Sequence, residues 1–320
     1  MLRAGGIGGC TLTAEDAKVA YKIWGDSVPR LKGSTVRETG QRKPQSLVMV
    51  KVPRELIQLQ QKVQIGIDIF FVNGHISFMI YIRMICFTTV THLVNHKVVE
   101  VWAVMHKIYQ MYMLRGFHIV EIAGDREFAW IADQVASLPT NPMLNLAAAS
   151  EHVGLIERII RFLKEKTRSI HHSLPFQRVP ALMLIRMVLH SVQFMNCFPW
   201  KGGLKHYPPS AIMTGAKLHM SQLQLKFESY CQVAEDVTPR NSLDARTLRK
   251  AISMGPSGNL SVGQRFLALD TGNLIVRNCW KELPMPSAVI DRVNVLGHAK
   301  RSMLVFTDRH GRVIGDDTYG

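Results

Sequence analysis

The sequence predicts an α/β fold, in which a mixed β-sheet is flanked by helices and followed by a small β-barrel-like C-terminal module. Three observations lead to this prediction. Two β-rich runs meet at Asn73-Gly74, a dipeptide typical of tight hairpins. An amphipathic helical pattern over 98–112 precedes another β-rich run, as in a crossover to a parallel strand. After residue 226, short β-rich runs alternate with turn residues, which is typical of small barrels.

The core of the predicted fold begins with three β-rich runs. Residues 63–72 and 75–82 are rich in Val, Ile and Phe, so we predict that they pair as an antiparallel hairpin. Residues 87–93 supply the third strand. The helical pattern that follows begins at Val98 and ends at Arg115-Gly116, a typical helix stop.

A fourth strand is predicted over residues 117–123, and it ends at Gly124-Asp125. Because it follows a helical crossover, we expect it to pair parallel to an earlier strand. The remaining core elements are a short helix near 127–137, a weak strand near 143–147, and long helices near 151–167 and 180–195.

These patterns divide the chain into four parts. Residues 1–60 form a basic, Gly-containing lead-in with little apolar periodicity, which we expect to be largely extended. Residues 61–215 form the α/β core, and residues 225–285 form the small β module. Residues 286–320 have few apolar clusters and a charged end, which is typical of a linker or tail.

Composition narrows the classes of function. Hydrophobic residues make up 47% of the chain, and the formal net charge is +15, which suits a polyanionic partner such as nucleic acid. An anionic membrane surface is the other partner that this charge suits. The run 65–90 is the one stretch that resembles a membrane span, but Asp68, Asn73-Gly74 and Arg83 interrupt it. We therefore expect sheet here, and no membrane partner.

Other patterns exclude further classes. The five cysteines lie far apart without a CxxC pair, which argues against a disulfide framework or a zinc knuckle and indicates a reducing compartment. The sequence has no GxSxG, GxxxxGK[ST] or GxGxxG motif, so we expect neither a serine hydrolase nor a nucleotide cofactor.

Three acidic residues stand out by their positions. Asp68 lies inside an apolar strand, where an ionised carboxylate is costly unless a cation or hydrogen bonds compensate it. Asp125 lies where the fourth strand ends, at the sheet edge where α/β proteins usually bind ligands. Glu157 lies in the first two turns of the long helix, whose N-terminal end can face the same edge. The three carboxylates can thus converge.

A set of oxygen ligands without a nearby Cys or His pair suits Mg²⁺ or Mn²⁺ rather than zinc. Two such ions, about 3.5 to 4 Å apart, clamp the attacking and leaving oxygens of a phosphoryl transfer. On spacing alone an alternative stays open, because an isolated Asp in a strand or Glu on a helix is often a capped or solvated group.

The same helix carries a basic ridge, which consists of Arg158, Arg161, Lys164 and Arg168. The last three recur at three- or four-residue spacing after Glu157 and therefore share its face. Such a ridge suits a phosphate backbone, which binds cations with little dependence on base sequence. An ordinary solvated helix face explains these charges equally well.

Several segments match a known family. The stretches Ile67-Asp-Ile-Phe-Phe-Val-Asn-Gly and Gly124-Asp-Arg-Glu-Phe are similar to the motifs around its first two acidic residues. The stretch Glu151-His-Val-Gly-Leu-Ile-Glu-Arg is similar to the helix that presents its third. Residues 24–37, 209–215, 227–230 and 280–286 are similar to segments that flank its core. Over about residues 22–315 the chain thus resembles the integrase region of copia-type retrotransposon polyproteins.

This resemblance implies a ribonuclease H-like sheet and a metal-dependent polynucleotidyl transferase that inserts element DNA into target DNA. It implies that Asp68, Asp125 and Glu157 are the catalytic residues and bind Mg²⁺ or Mn²⁺. It also implies that the basic ridge and the small β module bind DNA, that the chain self-associates, and that it acts in the nucleus.

The chain departs from the family pattern at three points. Only 31 residues separate Asp125 from Glu157, fewer than is usual in the family, so Glu151 is an alternative third acid. Arg126 follows the second Asp where the family commonly has Asn-Gly or Gly. No His/Cys zinc-binding segment precedes the core in this sequence, whose first histidine is His75. The alternative function is a catalytically degenerate, nucleic-acid-binding remnant of a retrotransposon polyprotein.

Overall fold

The computed structural model describes residues 13–25, 48–49, 52–146, 150–200, 202–204, 206–217, 223–234, 248–258 and 263–298. Its helices are α1 (Ala14–Trp24), α2 (Arg54–Leu59), α3 (Val98–Leu114), α4 (Ala132–Ala136), α5 (Ser150–Ser173), α6 (Ala181–Cys197), α7 (Pro209–Thr214) and α8 (Ser287–His298), and a 3-10 helix spans Arg126–Ile131. Its strands are β1 (Val48–Met49), β2 (Lys62–Val72), β3 (His75–Ile82), β4 (Phe87–Leu93), β5 (His118–Ala123), β6 (Met143–Asn145), β7 (Ala216–Lys217), β8 (Tyr230–Ala234), β9 (Leu248–Pro256), β10 (Gln264–Ala268), β11 (Leu274–Arg277) and β12 (Trp280–Glu282).

The main sheet has five strands in the order β4-β3-β2-β5-β6. Strands β2, β3 and β4 are antiparallel, whereas β5 pairs parallel to β2 and β6 pairs parallel to β5. Asn73 and Gly74 have φ angles of 51° and 77°, as a two-residue type I′ hairpin turn requires. The predicted hairpin and the predicted parallel pairing are both confirmed, and the mixed sheet has a ribonuclease H-like strand order.

The two faces of this sheet pack against different helices. Ile65, Ile67 and Ile69 belong to a buried cluster with the apolar side of α3. The alternate positions of β2 face the other way, and Phe70 packs in a second cluster with α5 and α6. Asp68 shares that face with Phe70. The strand therefore directs its carboxylate toward the layer formed by α5 and α6.

A second sheet follows the core, with five antiparallel strands in the order β11-β10-β9-β8-β12. Tyr230, Ile252 and Leu267 of this sheet join Met183 and Met187 of α6 in one buried cluster. The second sheet therefore packs against the helix layer of the core. Among the described residues, its two edge strands do not pair with each other. The predicted fold class, an α/β core followed by a small β module, is confirmed.

Two regions differ from the sequence expectation, the lead-in and the tail, and in the lead-in residues 54–59 form helix α2. Residues 14–24 in the lead-in are helical rather than extended, because Thr13 and Asp16 form a capping box. The Thr13 hydroxyl accepts from the Asp16 N–H at 3.2 Å, and the Asp16 carboxylate accepts from the Thr13 N–H at 2.7 Å. The prediction was based on the Gly-rich and basic residues around this segment and did not take the capping box into account.

The second difference lies after the β module, where residues 287–298 form α8 instead of a linker. Val289 and Val293, four residues apart, are buried in the core, and the Arg292 guanidinium donates to the Leu269 carbonyl at 2.7 Å. The charged end of the predicted tail lies outside the described residues. Of the helices in the described part of the chain, none is long and apolar enough to cross a membrane.

Candidate active site

Strands β2 and β5 bring Asp68 and Asp125 to the same edge of the main sheet. The two strands are parallel, and Gly66 lies beside Ala123 in their ladder. Each aspartate lies two residues further along its own chain. Both therefore follow the paired segment at its carboxyl end, the edge at which α/β sheets usually bind ligands.

Helix α5 places Glu157 over this edge. The helix lies close to the sheet at Gly66, where an added Cβ would be 3.5 Å from the Ile156 side chain. Ile156 and Ile159 are buried, as the helical pattern predicts, whereas Glu157 is exposed. The side chain of Glu151, the alternative third acid, lies outside the described residues, so that alternative stays open.

The electrostatics of Asp68 reflect its burial first and the charges of neighbouring acids second. Burial is the largest influence, and it acts with the negative charges of Glu127, Asp125 and Glu157 to raise the pKa of Asp68 to about 7. The Ile69 N–H donates to Asp68 Oδ1 at 2.7 Å and works in the opposite direction. Because repulsion between charges weakens with distance, all three acids must lie near Asp68.

Asp125 is held at the sheet edge by two local features. Its carboxylate accepts from the Arg126 N–H at 2.9 Å, so it caps the 3-10 helix that follows. The backbone before it is closely packed, because an added Cβ at Gly124 would lie 2.8 Å from Ile67 Cγ1. The capping role that the sequence left open for Asp125 is thus present, and it does not remove the carboxylate from the neighbourhood of Asp68.

Glu127 is a member of the cluster that the sequence reasoning missed. It is exposed, and its charge raises the pKa of Asp68. Its sequence signal is its place two residues after Asp125, just beyond the end of a parallel strand. Arg126, expected as a cation beside the site, is exposed too, and no described cation is among the groups that lower the pKa of Asp68.

The acidic side chains lie at one edge of the sheet, but they are too far apart to coordinate one metal ion together. Among the described residues, no three His, Cys, Asp or Glu side chains are arranged closely enough to hold a metal ion. The donors suit a hard divalent cation in chemistry and charge, because all are carboxylate oxygens. The distances between these carboxylates are too long for a single ion, so metal binding would require the side chains to move closer to one another.

A second set of polar residues, also missed from the sequence, connects three strands of the main sheet. Glu121 of β5 is only 8% exposed. Its carboxylate accepts from Gln64 of β2 at 2.8 Å and from Asn145 of β6 at 3.1 Å. These bonds fix the lateral alignment of the strands that carry the two aspartates. We call this set the polar clasp.

The basic ridge lies along α5 as predicted, but its members differ in exposure. Arg158 and Arg161 are exposed, whereas Lys164 and Arg168 are half-buried. The first two are thus better placed to contact a ligand in solution than the last two. Nucleic-acid binding by the ridge remains a prediction.

No protein-family model matches the chain, and no curated protein matches it in sequence. Among solved structures, the chain is similar to the catalytic core domain of BIV integrase, with a TM-score of 0.35 and 11% sequence identity. The similarity covers 48% of this chain and 93% of that chain. It is distant and partial, and the resemblance to copia-type polyproteins remains a prediction from the motifs.

Proposed function

We propose that the protein is a metal-dependent polynucleotidyl transferase of the integrase type, which joins DNA ends to target DNA. The observation that carries this proposal is the gathering of Asp68, Asp125, Glu127 and Glu157 at the carboxyl edge of the main sheet. Like charges placed together near a half-buried group oppose folding, and such arrangements are enriched at functional sites. The motif resemblance supports the class of reaction.

In this proposal Asp68, Asp125 and Glu157 would hold Mg²⁺ or Mn²⁺. When bound, such an ion activates a nucleophile and neutralises charge on the leaving oxygen. The protein's own groups prepare the site: the Ile69 N–H orients the Asp68 carboxylate, and Arg126 N–H orients that of Asp125. Arg158 and Arg161, exposed on the helix that carries Glu157, would bind the phosphate backbone.

The test is a calorimetric titration of the purified chain with Mg²⁺ and with Mn²⁺. We expect binding by the unmodified chain, and its loss in Asp68→Asn and in Asp125→Asn. The matched control is Asp133→Asn, which removes an exposed carboxylate on α4, and it should bind as the unmodified chain does. Retained binding in both site variants, or no binding with or without DNA, would overturn the metal site.

The second candidate is a non-catalytic nucleic-acid-binding protein. The observation that favours it is that no three acidic or other ligating side chains in the described part of the chain are close enough to hold a metal ion. In this case the chain should bind DNA with an affinity that falls steeply as salt rises, because phosphate contacts release counterions. It should bind no divalent ion, and Asp68→Asn should leave DNA affinity unchanged.

A further inference from the structure

A pocket of about 480 Å³ opens between the N-terminal half of α5 and the turn that joins β3 to β4. Its volume lies within the range of roughly 300 to 1,000 Å³ that is typical of small-molecule sites. It is distinct from the acidic edge, although Arg158 in its wall directly follows Glu157. The residues that matter for its chemistry are Tyr81, Arg83, Cys86, Gly154, Arg158 and Gly202.

Two guanidinium groups from different elements line this pocket. Arg83 comes from the β3–β4 turn and Arg158 from α5, and both are exposed. Neither forms an ion pair with a residue that the structure describes. The described lining includes no Asp or Glu. A concave surface with two such cations suits an anion with several oxygens, because each guanidinium can donate two parallel hydrogen bonds.

The floor of the pocket fixes the backbone of the turn that carries Arg83. Cys86 is 4% exposed and its thiol donates to the Arg83 carbonyl at 3.6 Å. Its φ angle is 55°, in the left-handed region that few non-glycine residues adopt, so the turn has a defined shape. Tyr81 beside it is buried too, and burial together with a side-chain hydrogen bond with Cys86 raises the pKa of Tyr81 above its usual value.

Two glycines keep the pocket open. An added Cβ at Gly154 or at Gly202 would meet no heavy atom within 4 Å, so neither glycine is required by close packing. Gly154 also lies inside α5, where glycine is less favourable than alanine. The missing side chain therefore lowers helix stability and leaves free space beside the two arginines.

We propose that this pocket binds a phosphate group, held by the Arg83 and Arg158 guanidiniums. The phosphate belongs either to a nucleotide or to the end of a nucleic-acid strand. The phosphate site itself is independent of metal binding. Its assignment to a nucleic-acid strand rests on the proposed function, since the strand would continue from the pocket toward the acidic edge.

The experiment is a calorimetric titration of the full chain in EDTA. The probes are inorganic phosphate, thymidine 5′-monophosphate, and a short single-stranded oligonucleotide with either a 5′-phosphate or a 5′-hydroxyl. We expect Arg83→Ala and Arg158→Ala each to weaken phosphate binding by about tenfold or more, as expected for loss of a charge-assisted hydrogen bond. Lys107→Ala removes an exposed cation from α3, on the opposite face of the sheet, and should leave binding unchanged.

A second pair of variants, both at Gly154, tests whether the empty volume of the pocket is needed for binding. Gly154→Leu should fill the pocket and abolish binding, whereas Gly154→Ala should bind as the unmodified chain does. Both should melt at or above the temperature of the unmodified chain, because both residues favour helix over glycine. If Gly154→Leu fails to fold, the two exposed arginine variants still decide the outcome.

The probes also identify the source of the phosphate. Equal affinity for the monophosphate and the 5′-phosphorylated strand supports a nucleotide ligand, and a clear preference for the phosphorylated strand over both other organic probes supports a strand end. The proposal is overturned if no probe binds, if neither arginine variant weakens binding, or if Lys107→Ala weakens it equally. Because EDTA removes divalent ions, failure of the metal site would leave these results unchanged.

Discussion

The acidic edge of the main sheet and the contact between α6 and the second sheet both concentrate charge of one sign. At the edge, burial and then the charges of Glu127, Asp125 and Glu157 raise the pKa of Asp68 to about 7. At the contact, Arg186, His190 and Arg265 lie together. Burial, and then the charge of Arg186, lowers the pKa of Arg265 to about 10, and burial with the charge of Arg265 lowers that of His190 to about 4.

The two regions differ in the surroundings of these groups, and in the basic cluster Arg186 Nε and His190 Nδ1 are buried without a hydrogen-bond partner among the described residues. The Arg265 guanidinium donates to the carbonyls of Pro256 and Ser257, and the His190 ring lies between Phe194 and Phe227, with centroids 4.6 and 5.2 Å away. The Arg265 bonds lie within the second sheet, whereas the His190 ring of α6 contacts Phe227, which precedes that sheet. At the acidic edge, the Ile69 N–H donates to Asp68 and the Arg126 N–H donates to Asp125. The basic cluster therefore lies at a buried contact inside the fold, whereas Glu127 and Glu157 of the acidic edge are exposed to solvent and to any ligand in it.

The largest effect should come from removing the central carboxylate of the edge. Asp68→Asn should lower Mg²⁺-dependent DNA strand transfer by about 10³-fold or more, because loss of a metal-binding or reacting group costs that much. Gel analysis of joined products measures it, with Asp133→Asn as the control. Unchanged activity in Asp68→Asn would remove Asp68 from the site.

The basic cluster should make the fold sensitive to acid. The unfolded chain protonates His190 below its usual pKa of 6.5, whereas the folded chain does so only near 4, so the free energy of unfolding falls as pH falls through this window. The total loss should be about 3 kcal/mol. Between pH 7 and pH 5 about 2 kcal/mol of this should be lost, because the folded chain protonates His190 only near pH 4. Urea unfolding at these two pH values measures that part.

His190→Gln should reduce the dependence of the free energy of unfolding on pH. The dependence that remains is expected from His75 and His171, whose pKa values burial also lowers. The same pH dependence in the variant as in the unmodified chain would show that His190 does not cause the acid sensitivity.

The acidic edge should show the opposite pH dependence. Folded Asp68 binds a proton up to pH about 7, above its usual 3.8, so the stability from this group is complete below 3.8 and is lost as pH rises toward 7. Asp68→Asn should therefore raise the free energy of unfolding at pH 8, by on the order of 2 kcal/mol after allowance for solvent screening. Denaturation at pH 8 and pH 4 tests this, and equal differences at both pH values would contradict it.

The smallest effect concerns the backbone that leads to the edge. Gly124→Ala should lower the free energy of unfolding by about 1 to 2 kcal/mol, because its Cβ would lie 2.8 Å from Ile67 and 3.1 Å from Phe128. Gly154→Ala, with open space around it, should raise stability by about 0.5 to 1 kcal/mol. Thermal unfolding of both variants measures the contrast, and equal shifts would indicate that the packing at Gly124 adjusts freely.

Much of the edge could be predicted because it follows from local patterns. Asn73-Gly74 fixes the hairpin, and the helix over 98–114 requires the next strand to return parallel. Asp68 and Asp125 then reach one edge by strand direction alone. The start of α5 was predicted within a residue or two because its apolar spacing is regular.

What could not be predicted depends on contacts between distant parts of the chain. The polar clasp joins strands from three places in the sequence, and nothing near Gln64 indicates its partners. Arg83 and Arg158 likewise meet only because α5 crosses the sheet at Gly66. Helix α8 was missed for a related reason: only two of its three valines, Val289 and Val293, are buried, and they become part of the core only through contacts with distant parts of the chain.

The polar clasp affects how such a sequence can evolve, because it keeps the strands aligned independently of the acidic edge. A slip of one residue between parallel strands would turn every side chain to the other face. The bonds from Gln64 and Asn145 to Glu121 prevent that slip, and they involve none of the carboxylates at the edge. The architecture and the chemistry can therefore be inherited separately. A lineage that loses its acids retains a well-aligned sheet, and selection for catalysis and selection for folding act on different residues.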